Sequence, residues 1–139
     1  MRLAVLRVTG NEFDPQSFVK RFGFGPDLVR RAGIPDSVGR VRSKSGFNLT
    51  IAARDSGEAF VRNICEWVDA NRLALQAVEA SGGSAEIDVG LSVGASGQFT
   101  VSVTWTPSQL ALLAECGVDL CVSAYPSSNA DDARPGPAV

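Results

Sequence analysis

From Glu58 to Val78 apolar residues recur three and four positions apart: Phe60, Val61, Ile64, Trp67 and Val68, continued by Leu73, Leu75 and Val78. A helical pattern with one long apolar stripe cannot bury that stripe by itself. The segments on either side read differently. "GFNLTIA" puts Phe47, Leu49 and Ile51 on one face and Asn48 and Thr50 on the other, the period of a half-buried strand. "AEIDVGLSVG" follows once the glycines of "SGG" at 81–83 have stopped the helical pattern. A long amphipathic helix held between strands calls for a helix layer on a sheet.

The other segments fit this architecture. "RLAVLRVTG" is a largely buried strand ending at Gly10. In "DPQSFVKRFG" Asp14 is the N-cap, Pro15 the first helical residue and Gly23 the stop, with Phe18, Val19 and Phe22 as the buried stripe. Residues 24–44 are rich in Gly, Pro and Arg, with room for one or two short strands. Asp55 and Glu58 have capping-box spacing ahead of the long helix, and Asp69-Ala-Asn71 can split that helix in two. "GQFTVSVTW" pairs Phe99, Val101, Val103 and Trp105 on one face. It predicts a hairpin with "AEIDVGLSVG" through a turn near Ala95-Ser-Gly97. Thr106-Pro107-Ser108-Gln109 combines an N-cap, an N1 proline and a capping-box glutamine; Gly117 ends this helix and "VDLCVSAY" is the last strand. The expectation is an α+β fold: a mainly antiparallel sheet with helices on one face. A ferredoxin-like wiring, single or duplicated, satisfies the order. A single domain covers 1–126, and 127–139, without apolar periodicity, is a flexible tail.

Composition restricts the chemistry. The chain has no histidine, the commonest general acid/base near neutral pH and the commonest metal ligand. Its three cysteines, Cys65, Cys116 and Cys121, form no Cys-x-x-Cys motif and fall short of the four ligands of a structural zinc site. They read as core residues. Ser43-Lys44-Ser45 lies in a turn-rich loop and "FGFGP" at 22–26 lacks the parts of a phosphate loop. Glu86 and Asp88 share a strand face, as exposed carboxylates routinely do. No catalytic residue, metal ligand or cofactor site is expected. The N-terminal apolar run, broken by Arg7, is too short for a signal peptide. No segment approaches the roughly 18 apolar residues of a membrane span. The Asn48-Leu49-Thr50 sequon then reads as chance, and a cytoplasmic location is expected.

Charge is unevenly distributed. Residues 20–44 hold Lys20, Arg21, Arg30, Arg31, Arg40, Arg42 and Lys44 against Asp27 and Asp36 alone, whereas four basic residues face eleven acidic ones from 45 onward. Arg30, Arg31, Arg40, Arg42 and Lys44 are the candidate binding residues, for an acidic partner protein or a phosphate-bearing ligand. The bland alternative is a solvated edge paired with the acidic half. No stacking aromatics interleave with the arginines, which argues against nucleic acid.

"VTGNEFDPQSF", the Arg-Arg-x-Gly segment at 30–33, "SGFNLTI", the long helix, the expected hairpin and "LALLAECGVDLCVSAY" together resemble a small bacterial family, domain of unknown function 4279. The resemblance spans roughly residues 3–125. Phe47 stands where that family is expected to carry tryptophan, and Val29 where another aromatic is frequent. The resemblance implies a compact α+β domain without known catalytic residues, in the setting of polymorphic-toxin immunity. The expected function is therefore that of a non-enzymatic bacterial binding protein of the immunity type, whose partner is a toxin. A small-ligand or phosphate-recognition domain is the alternative.

Overall fold

The computed structural model describes residues 1–54, 56–94, 97 and 100–126. Its elements are β1 (Arg2–Gly10), α1 (Pro15–Phe22), β2 (Leu28–Arg30), β3 (Ser45–Arg54), α2 (Gly57–Ala70), α3 (Arg72–Gln76), a short 3-10 turn (Glu79–Ser81), β4 (Ser84–Val93), α4 (Pro107–Glu115) and β5 (Val118–Pro126). The five strands form one sheet in the order β2-β3-β1-β4-β5. All neighbours are antiparallel except β4 and β5, which run parallel. The fold is α+β, as the patterning requires.

β3 and β4 run parallel to each other with β1 inserted between them, so β3–α2–β4 is a split βαβ unit, the building block of ferredoxin-like folds. The chain then departs from that plan, because β4–α4–β5 joins adjacent parallel strands. This crossover also corrects the expected hairpin. β4 has β1 on one side and β5 on the other, so no edge is left for a hairpin partner. Residues 100–105 are not paired as a strand, although Val101, Val103 and Trp105 still pack against the core. The expected turn residues Ala95 and Ser96, together with Phe99, Asp55 and the segment 127–139, lie outside the described residues.

Local signals govern the helix ends. Asp14 accepts a hydrogen bond from the Ser17 amide at 3.2 Å, and Gly23 closes α1 in the left-handed conformation. Thr106 and Gln109 form the expected reciprocal box on α4. α2 stops at Ala70, where the Asn71 side chain donates to the Trp67 carbonyl at 2.8 Å and α3 restarts the stripe.

The covered face of the sheet takes Ala4, Leu6 and Val8 from β1, Phe47 from β3 and Ala85, Ile87 and Val89 from β4, with Phe60, Val61, Ile64 and Val68 of α2 buried among them. Each large side chain buried there contributes about 1.5–3 kcal/mol. A bulge opposite Ala4 and Val5 shifts the alternation of β3, so that Ala52 continues the covered face where Ile51 was expected. Phe13, Phe18, Phe22, Phe24, Phe47 and Trp67 form a connected ring cluster, with Phe18–Phe22 centroids 4.8 Å apart and Phe24–Trp67 5.8 Å apart. Phe24 thereby fixes the chain at the point where the arginine-rich segment leaves the core.

The opposite face mixes polar and apolar side chains. Leu28, Asn48, Arg7, Glu86 and Asp119 form one row across all five strands. Cys121 is also on this face, half-buried with its sulfur 3.9 Å from the Ser123 hydroxyl. This corrects its assignment to the core; Cys116 is buried as expected and Cys65 is half-buried. Among the described residues no helix is long and apolar enough to cross a membrane.

Candidate functional site

The arginine-rich segment is a long, irregular hairpin that extends from β2 and β3. Its limbs are held by the Gly33 amide to the Arg42 carbonyl at 2.9 Å, a bridge between Pro35 and Val41, and the Ala32 amide to the Ser45 hydroxyl at 2.9 Å. Asp36 organises the tip. Its Oδ1 accepts from the amides of Val38 at 3.0 Å and Arg40 at 2.9 Å, and Gly39 turns the chain with φ +83°. The Arg40 amide, followed by that of Val38 and the charges of Arg40 and Arg42, holds the Asp36 carboxyl below the usual aspartate range.

The loop brings four of the five expected site residues together. Arg30, Arg31, Arg40 and Arg42 line a single cleft of about 530 Å³, shared with apolar Leu28, Ile34 and Val38. These apolar residues are unusually accessible: Leu28 is 50% exposed, Ile34 57% and Val38 69%. Lys44 lies apart, in a shallower cleft with Thr9, Arg30, Arg40 and Arg42.

Among the described residues no ion pair joins these arginines to the acidic half, the alternative considered from the sequence. Arg40 and Arg42 approach Asp36 of their own loop, at 4.0 and 3.9 Å, at the outer limit of an ion pair. Arg31 donates to Gln16, and Arg30 donates to the Asn48 carboxamide oxygen at 3.0 Å. Burial, then the neighbouring charges of Arg42 and Arg7, pull the Arg30 pKa below the ordinary guanidinium value.

Residues outside the segment join this surface without having been singled out as site residues. Arg7 and Asn48 line a second cleft of about 510 Å³ on the open sheet face with Arg30 and Arg42, and Glu86 and Asp119 form its far side. Asp88 lies beneath, buried where an exposed carboxylate was expected. It accepts from the Arg7 guanidinium and the Ser123 hydroxyl, each at 2.9 Å. The strand order sets Arg7 beside Asn48. No group of three or more Cys, Asp or Glu residues is placed to hold a metal ion among the described residues. Comparison with known proteins yields no match to a family model, to a curated protein or to a solved structure.

Proposed function

We propose that this is a non-enzymatic binding protein whose working surface is the loop between β2 and β3, and that its partner is a protein presenting acidic and apolar groups. The observation that carries this reading is the convergence of Arg30, Arg31, Arg40 and Arg42 on one cleft with the exposed side chains of Leu28, Ile34 and Val38. Arginine beside accessible aliphatic groups is the composition of a protein-recognition patch, since the guanidinium supplies directed hydrogen bonds and the aliphatic groups supply desolvation. A free inorganic anion would leave those aliphatic groups in water. The immunity setting implied by the resemblance to domain of unknown function 4279 suits such a surface. Sequestering a toxin in the bacterial cytoplasm needs complementarity and no reactive residue.

The test is partner retention by the purified full chain, compared with Arg40→Glu/Arg42→Glu and Ile34→Asp variants of verified fold, and protection of cells against toxins encoded beside its gene. A partner held by the native chain and released by both variants supports the reading. Retention unchanged by either variant, or an absence of any stoichiometric partner or protection, removes it. A second reading is favoured by the size of the cleft, about 530 Å³, which is that of a small-ligand site. There the arginines hold a phosphorylated metabolite, and a thermal-shift screen with nucleotides and sugar phosphates decides between the two.

A further inference from the structure

Arg30 and Arg42 border the loop cleft, the shallow cleft of Lys44 and the open-face cleft alike. All three depressions meet at these two side chains. Arg30 is half-buried, and its guanidinium has one neutral partner, Asn48, and no ion pair among the described residues. The other guanidiniums that act on it are like charges, those of Arg42 and Arg7. Two carboxylates at or beneath these clefts have other partners, while Glu86 and Asp119 line the open-face cleft without an ion pair to Arg30 among the described residues. Asp88 serves Arg7 and Ser123, and Asp36 serves the amides of its own turn. Arg30 thus shares the cleft with two like charges, is partly desolvated and makes no ion pair of its own among the described residues, an imbalance that one bound anion would offset.

We infer that the junction of Arg7, Arg30 and Arg42 is an oxyanion seat that takes one compact carboxylate or phosphate group. Arg30 and Arg42 contribute directed N–H donors from two sides, Arg7 contributes charge while it stays bound to Asp88, and Asn48 orients Arg30. Glu86 and Asp119 on the far side of the same cleft set the selectivity. An extended polyanion entering along the sheet would meet these carboxylates, whereas a single oxyanion carried on a neutral or cationic body would not. The seat refines the binding surface proposed above by naming the group that anchors there, either a side-chain carboxylate of the partner or the phosphate of a small ligand. It rests on that reading for its biological role, but its chemistry can be tested without any partner.

The full chain, labelled for arginine side-chain NMR, is titrated at constant ionic strength with inorganic phosphate, with acetate and, as a reference, with chloride. Saturable shifts confined to the Nε–Hε signals of Arg30 and Arg42, reduced roughly tenfold in apparent affinity by Arg30→Gln and by Arg42→Gln, support the seat. Arg62→Gln, on the exposed face of α2, should leave them unchanged. Preference for phosphate over acetate marks a phosphate source, and parity marks a side-chain carboxylate; either outcome keeps the seat. Linear, unsaturated shifts spread equally over Arg21, Arg54 and Arg62 would overturn it. So would tighter binding of a short single-stranded oligonucleotide than of phosphate. If both glutamine variants unfold, saturation of the Arg30 and Arg42 signals in the native chain decides alone. Anion binding with no partner ever retained leaves the seat standing and removes the protein-partner reading; a retained partner with no anion binding does the reverse.

Discussion

The guanidinium of Arg7 bypasses its direct cross-strand neighbour, Glu86, and binds Asp88 at 2.9 Å. Asp88 is buried and Arg7 is not, so the pair is a half-desolvated contact beneath the open face of the sheet. It keeps Arg7 upright next to Asn48 and leaves Glu86 to the cleft.

Removing that anchor should cost stability. Asp88→Ala takes the ion partner from Arg7 and the acceptor from the Ser123 hydroxyl, and should destabilise the protein by about 1–3 kcal/mol. Ser123→Ala, which removes a single hydrogen bond, should cost about 1 kcal/mol or less. Urea unfolding with an unchanged slope and a lowered midpoint is the expected result. An Asp88→Ala midpoint equal to that of the native chain would show that the contact contributes nothing.

Charge reversal on the loop should behave in the opposite way. Among the described residues the ion pairs of Arg40 and Arg42 are with Asp36 alone, at the limit of ion-pair distance, and their side chains are 72% and 44% exposed. Arg40→Glu/Arg42→Glu should change stability by no more than roughly 0.5 kcal/mol. Once a partner is in hand, association should slow, and the difference from the native chain should shrink as salt screens the steering charges. Lost stability with intact association, measured on the same double variant, would assign these arginines to the fold.

Acid should loosen the loop before the core. Asp36 is held below the usual aspartate range by hydrogen bonds from Arg40 and Val38, and Asp14 by those from Ser17. A carboxyl lowered in the folded state contributes stability that is complete above its unfolded pKa and disappears as pH falls through its lower folded pKa. The amide signals of Val38 and Arg40 should therefore hold through the ordinary aspartate range and move only at more acid pH. Movement centred within the ordinary range would contradict the hydrogen-bonded turn.

Thiol labelling should follow burial. Burial raises the Cys65 and Cys116 thiols above their ordinary pKa, and thiolate is the reactive form. Cys121 lies half-buried on the open face instead. Under native conditions an alkylating reagent should modify Cys121 first and Cys116 last, with all three reacting rapidly in denaturant, as read by peptide mass spectrometry. Early labelling of Cys116 would mean that α4 opens readily from the sheet.

Sequence alone determined the features whose causes are local. Asp14, Pro15 and Gly23 bracket α1, Thr106 to Gln109 start α4, and Asn71 breaks the long helix, because caps and prolines act on backbone groups only a few residues away. The apolar stripe of α2 and the alternation at the start of β3 were legible for the same reason, and together they imply helices on a sheet. The clustering of arginines between 20 and 44 was equally plain as a count of charges. Tertiary structure decided whatever depends on which strands become neighbours. Residues 100–105 alternate like a strand, yet β5 takes the edge of β4 that they would have needed. Cys121 alternates with Leu120 and Val122, and the register with Asp88 puts it on the open face. Arg7 and Asn48 join Arg30 and Arg42 only because β1 and β3 pair side by side and β2 is added outside them. Strand pairing is a long-range choice among segments of similar pattern, settled by the burial of the whole sheet and not by the residues of any one strand.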